Sequence, residues 1–148
     1  MKHCIGWLGV LLVLLGTGCD TVNHTQYQLY GPPTADGARA SVSAADSGQV
    51  REVLSAIAAK LRFEDRTAVS LKPKTIGLFV QQETREPVRI VAWEQDGRIA
   101  VEVTHAPSAP GESEYYRKVQ DMVFTELQTR FGGRVAVPAW KNSPSSQR

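Results

Sequence analysis

Three histidines, two cysteines and fifteen carboxylates are the residues of this 148-residue chain best suited to chemistry, and their spacing argues against most of it. Beyond the first turn of sequence only His24 and His105 remain. Neither has a ligand-type neighbour at metal-site spacing, so a zinc centre would have to be assembled from distant carboxylates and no metal is expected. His105 reads as a solvated residue at a strand end. Glu94 and Glu102 fall on opposite faces of their strands by simple alternation, so they cannot act as an acid/base pair on one surface. Glu112 and Glu114 stand at a helix start, where the helix dipole favours acids. The chain has no G-x-S-x-G, P-loop, G-x-G-x-x-G or H-E-x-x-H motif. The reading is of a chain that is not an enzyme and carries no cofactor; a hydrolase would need a cleft gathering His105 with a carboxylate and a hydroxyl.

The elements that would position these side chains follow from periodicity. Asp46 and Gln49 have capping-box spacing, and Val50, Val53, Leu54, Ile57, Ala58 and Leu61 recur on one helix face, which predicts an amphipathic helix over about residues 47 to 62. Three strand-like runs follow at 75–81, 87–95 and 98–105. Asp96-Gly97 joins the last two as a two-residue hairpin, since a type I′ turn needs positive φ at both positions. That loop sets the register Gln95 to Arg98, Ala92 to Val101 and Ile90 to Val103, with Val88, Ile90, Ala92, Ile99, Val101 and Val103 on the core face. A second helix is expected over about 112 to 131, turning Tyr115, Val119, Met122, Val123, Leu127 and Phe131 inward and ending at Gly132-Gly133. A short strand at 134–138 closes the domain. The order gives an α+β fold: a two-layer sandwich with a mainly antiparallel sheet and two helices on one face.

The other face of the sheet carries the main functional signal. Alternation puts Trp93 and Val91 there with Ala100, and taking Ile76, Leu78 and Val80 as the inward set of their strand adds Phe79. A sheet face with Trp and Phe and no helices either has a cover or docks a partner. Tyr27, Leu29, Tyr30 and Trp140 are the residues available as a cover.

The opening residues decide the address. Lys2 precedes an apolar run from Ile5 to Leu15, and the run closes in Gly16-Thr17-Gly18 before Cys19. This is the three-part layout of a secretory signal peptide, too short in its apolar part for a spanning helix of about 20 residues. The segment Leu15-Gly16-Thr17-Gly18-Cys19 resembles the lipobox of bacterial membrane lipoproteins, with the large aliphatic residue one position earlier than usual. The resemblance implies that residues 1–18 are removed and that Cys19 becomes the lipidated first residue. An ordinary signal peptide cut after Gly18 is the alternative. Asp20 resembles the enterobacterial signal that retains a lipoprotein in the inner membrane, which places the chain on the periplasmic side of that membrane.

The remaining bounds are compositional. Residues 19–45 read as lipidated N-terminus and tether with a possible ordered strand near Ala38 to Ser43, 46–138 as the α+β domain and 139–148 as a disordered tail. A flexible tether of about 20 residues would span on the order of 25 Å. Loss of Lys2 with the leader leaves 16 basic and 15 acidic side chains, a balance that gives no case for nucleic acid. Cys4 leaves with the leader and lipidation consumes the thiol of Cys19, so no disulfide is expected. The expected partners are the membrane, through the lipid on Cys19, and another envelope protein. The expected role is a binding or assembly module of the cell envelope; a binder of lipid or cell-wall ligands, with a cleft between the sheet and Tyr115-Tyr116, is the alternative.

Overall fold

The computed structural model describes residues 23–81, 87–106 and 113–136. Along them run β1 (Asn23–Leu29), α1 (Ala44–Leu61), β2 (Glu64–Asp65), β3 (Thr75–Gln81), β4 (Val88–Gln95), β5 (Arg98–His105), α2 (Glu114–Phe131) and β6 (Val135–Ala136). The strands form one six-stranded sheet in the order β2-β3-β4-β5-β1-β6, every pairing antiparallel. Both helices lie on the same face, so the fold is the two-layer α+β sandwich expected from the pattern.

The hairpin sets the centre of the sheet. Asp96 and Gly97 take φ of 51° and 72°, the turn conformation that matches the twist of the flanking strands. The pairing runs Gln95 to Arg98, Ala92 to Val101 and Ile90 to Val103 as the two-residue loop requires. Val88, Ile90, Ala92, Ile99, Val101 and Val103 are fully buried beneath the helices.

The helix α1 starts one turn earlier than its apolar periodicity indicates. Ser43 is the cap: its hydroxyl accepts from the Asp46 N–H and the Asp46 carboxylate accepts from the Ser43 N–H. Asp46 is thus the third residue of the capping box rather than its first. The same carboxylate meets Arg134 at 2.8 Å, tying the start of α1 to the chain just before β6. Burial raises the Asp46 pKa, but the Ser43 N–H and the Arg134 guanidinium outweigh it and hold the carboxyl below its ordinary range. In α2, capped by Ser113, the inward residues are Tyr116, Val119, Gln120, Val123, Leu127 and Phe131; Tyr115 and Met122 are only partly buried.

The largest departure from expectation is at the N-terminal side. In the stretch read as tether, β1 lies inside the sheet between β5 and β6, with Tyr27 and Leu29 in the helix-side core. The alternation Thr25, Tyr27, Leu29 is the strand signal, and it outweighs the loop-like composition that follows it. The segment Ala38 to Ser43 contributes a single bridge, Pro33 to Arg39, rather than a strand. The leader, Cys19, Asp20 and the tail from 139 onward, with Trp140, lie outside the described residues.

Candidate functional site

The strand β3 decides which side chains reach the face away from the helices. Thr75 pairs with Trp93, but the register shifts by one residue before Gly77, which pairs with Ala92. Beyond this bulge Leu78 stands opposite Val91 and Phe79 opposite Ile90. Phe79 therefore belongs to the helix-side core, at 2 % exposure, and not to the Trp93 face. The ring needs Gly77 beside it, because a Cβ there would sit 2.7 Å from Phe79 Cε2. Arg51 of α1 closes over the ring at 5.3 Å and donates to the Ile76 carbonyl. Three aliphatic residues at period two made the opposite parity look natural; the aromatic buries more area, and the bulge lets Ile76 still pack on the core.

On the face away from the helices, Val91, Trp93 and Ala100 form a separate apolar cluster with Leu78 packed against it. The cluster is closed rather than open, Trp93 being 7 % exposed. Tyr27 and Leu29 do not cover it, since both point to the helices, and Tyr30 donates instead to Gln28 with Arg39 over its ring. Among the described residues it is Lys72 that lies across Trp93, its Nζ 3.6 Å from the ring centroid, a cation–π contact that also screens the indole. The indole N–H donates to Gln95 Oε1. Polar side chains surround the cluster. Arg89 donates to Thr104 and lies 4.0 Å from Glu102, and β1 brings Gln26 opposite Glu102 and Gln28 opposite Ala100.

His105 is the second place where the structure corrects the sequence. It is fully buried rather than solvated, with Nδ1 3.4 Å from the Asn23 amide and its ring stacked on Tyr116 at 5.0 Å. Around it lies a polar layer between the sheet and α2. The Tyr116 hydroxyl is 3.2 Å from both the Val103 carbonyl and Thr25 Oγ1, and Gln120 donates to Thr25. The Tyr27 hydroxyl donates to the Gln120 carbonyl at 3.0 Å, and burial, followed by the charge of Asp121, pushes its pKa well above the usual value. Hydroxyls do gather near His105, but the residues are sealed from solvent and give a substrate no approach. Beside this layer Tyr116 is fully buried and Tyr115 partly buried against the core. A depression of about 880 Å³ on the solvent side of α2 is lined by Glu114, Tyr115, Arg117, Lys118 and Asp121, of mixed charge. Thr25, Tyr116 and Gln120 escaped the sequence reading. Their signal was the period-two pattern in β1 and the four-residue step in α2.

Glu94 and Glu102 do fall on opposite faces, with Glu94 accepting from Ser47 of α1 at 2.6 Å. Among the described residues no three His, Cys, Asp or Glu side chains converge as a metal site, and no helix is long and apolar enough to cross a membrane. Compared with protein-family models, curated proteins and solved structures, the chain matches none.

Proposed function

We propose that the chain is a lipid-anchored lipoprotein of the bacterial cell envelope, held by Cys19 on the periplasmic side and, through Asp20, in the inner membrane, whose α+β domain is a non-catalytic binding or assembly module. Its docking surface is the sheet face around Trp93 and Val91, with Leu78 in the place first given to Phe79, and a partner reaches the indole by displacing Lys72 from it. The observation that carries this reading is the division of one sheet into two apolar layers. The helices account for the first layer, and the second is a small apolar centre ringed by Arg89, Glu102, Gln26 and Gln28. An apolar centre within a polar rim is the anatomy of a protein interface.

The test is a photo-crosslinking residue placed at Leu78 or Gln26 in cells, with Arg117 on the exposed side of α2 as control. Intact mass of the membrane-extracted protein is read alongside. The expected result is acyl mass on Cys19 and a discrete adduct from the sheet positions, lost on Trp93→Ala. Adducts formed equally from Arg117, or none from the sheet, overturn the surface. A mass equal to the bare chain overturns the anchor.

A further inference from the structure

Val69 and Leu71 are the large apolar side chains most exposed among the described residues, at 68 % and 100 %. Both belong to the link between β2 and β3, the segment Arg66 to Lys74, and that link is braced at each end. The Arg66 N–H donates to the Leu78 carbonyl at 2.7 Å, and Thr67 Oγ1 accepts from the Leu78 N–H at 3.0 Å and from Arg51 at 2.5 Å. The Val69 N–H returns to the Arg66 carbonyl in a 3₁₀ turn. At the far end the Thr75 hydroxyl donates to the Lys72 carbonyl at 2.7 Å, and the Glu94 N–H donates to the Lys74 carbonyl at 3.1 Å. A segment this well tied could have turned its aliphatic side chains inward, yet it holds them in water.

The charge beside this tip has one sign. No acid occurs from Arg66 to Lys74. The acids just before it, Glu64 and Asp65, are paired with Arg66 and Arg51. Among the described residues neither Lys72 nor Lys74 is joined to a carboxylate. An exposed aliphatic tip with unneutralised lysines behind it suits an anionic lipid surface: the aliphatics enter the boundary between headgroups and acyl chains, and the Lys74 ammonium meets phosphates while that of Lys72 stays over Trp93.

We propose that the Val69–Leu71 tip is a membrane-surface contact that sets the domain's orientation on an anionic bilayer. This rests on the lipid-anchor reading and deepens it. From Cys19 to Asn23 the chain can extend at most about 14 Å, so an anchor at Cys19 keeps the Asn23 end of the sheet against the bilayer; the tip stands at the opposite end, beside Thr75 and Glu94, and both reach lipid when the strands lie along the membrane surface. With the tip inserted, the Trp93 face, reached by Lys72 of the same segment, lies beside the membrane and within range of a membrane-borne partner.

The test uses the full chain extracted from membranes and reconstituted in vesicles of phosphatidylglycerol with phosphatidylethanolamine, or of phosphatidylcholine alone. An environment-sensitive fluorophore is attached at Leu71→Cys, at Val69→Cys, and at Thr125→Cys on the exposed side of α2. On anionic vesicles the labels at 69 and 71 are expected to shift to the blue. They should also be quenched by aqueous iodide several-fold less than the label at 125, and Lys74→Glu should reduce the difference. Equal quenching at 71 and 125 on anionic vesicles overturns the proposal. So does protection that appears only when envelope proteins are added, which would make the tip a protein contact. Intact mass separates the two readings: if Cys19 carries no acyl chain, the anchor falls. The same labels, with vesicles added to the soluble chain, then judge the tip alone.

Discussion

The two faces of the sheet are built from the same strands and differ in what limits them. On the helix face the apolar set is continuous across β3, β4, β5 and β1 and meets two helices, so stability is spread over many fully buried side chains. On the other face three residues and part of Leu78 carry the apolar contact, and a lysine closes over them. Losing a side chain from the first layer leaves a cavity between two rigid layers, whereas in the second the neighbouring lysine and solvent can follow the change. The same chemistry on one strand can therefore serve stability at one residue and, on the function proposed above, recognition at the next.

The sharpest way to break this comparison is to remove one aromatic from each layer. Phe79→Ala is expected to cost about 3–5 kcal/mol in urea unfolding, the range for a core aromatic, and Trp93→Ala less than Phe79→Ala because its site can relax. Equal losses would mean that both faces are structural. Gly77→Ala tests the arrangement that places Phe79 inside: the new methyl group meets the ring edge at 2.7 Å, and overpacking of this kind costs about 1–3 kcal/mol. If stability is unchanged, the ring does not lie against Gly77.

Smaller effects sharpen the edges of the helix layer. Ser43→Ala removes the cap of α1 and should cost about 1 kcal/mol. The carboxyl of Asp46 is depressed despite its burial, through the Ser43 N–H and Arg134, and that of Asp65 through the Thr67 hydroxyl and N–H, then Arg51. Both groups therefore contribute stability that is complete above the unfolded carboxylate pKa of about 3.9 and is lost as pH falls through their lower folded values. Unfolding midpoints in urea should decline below about pH 4, and Asp46→Asn should lower the midpoint at neutral pH while flattening that acid decline. A variant with an unchanged acid slope would remove Asp46 from this account. The smallest expected effect belongs to the other face: Lys72→Ala loses one cation–π contact, about 0.5–1 kcal/mol, and should leave Trp93 more accessible to aqueous quenchers.

How much of this was legible depended on how local the signal was. The Asp96-Gly97 turn and the alternation beside it are local, and from them the hairpin register and six of the core residues followed. The helices were legible as apolar stripes, but their first turns were not, because Asp46 fits either the first or the third place of a capping box and Arg134, 88 positions away in the chain, favours the latter. Phe79 was misplaced because parity in β3 depends on a bulge that only the pairing with β4 reveals. His105 was misjudged for a related reason: a strand end looks solvated until β1 arrives beside it. Trp93 and Val91, placed by the hairpin alone, do fall together.

The position of β1 has a consequence for the order in which the protein can form. Its hydrogen-bonding partners are β5 and β6, so the pairing of Asn23 with His105 and the bond from Tyr27 to Gln120 close loops of 82 and 93 residues. Such closures come late, because the chain must give up the entropy of a long loop before any contact rewards it. The first strand in sequence is thus among the last to dock, and β6 joins the sheet only through it. Until Asn23 to Leu29 are in place, β5 presents an open edge, and the chain stays short of its final cooperative state however early the hairpin forms.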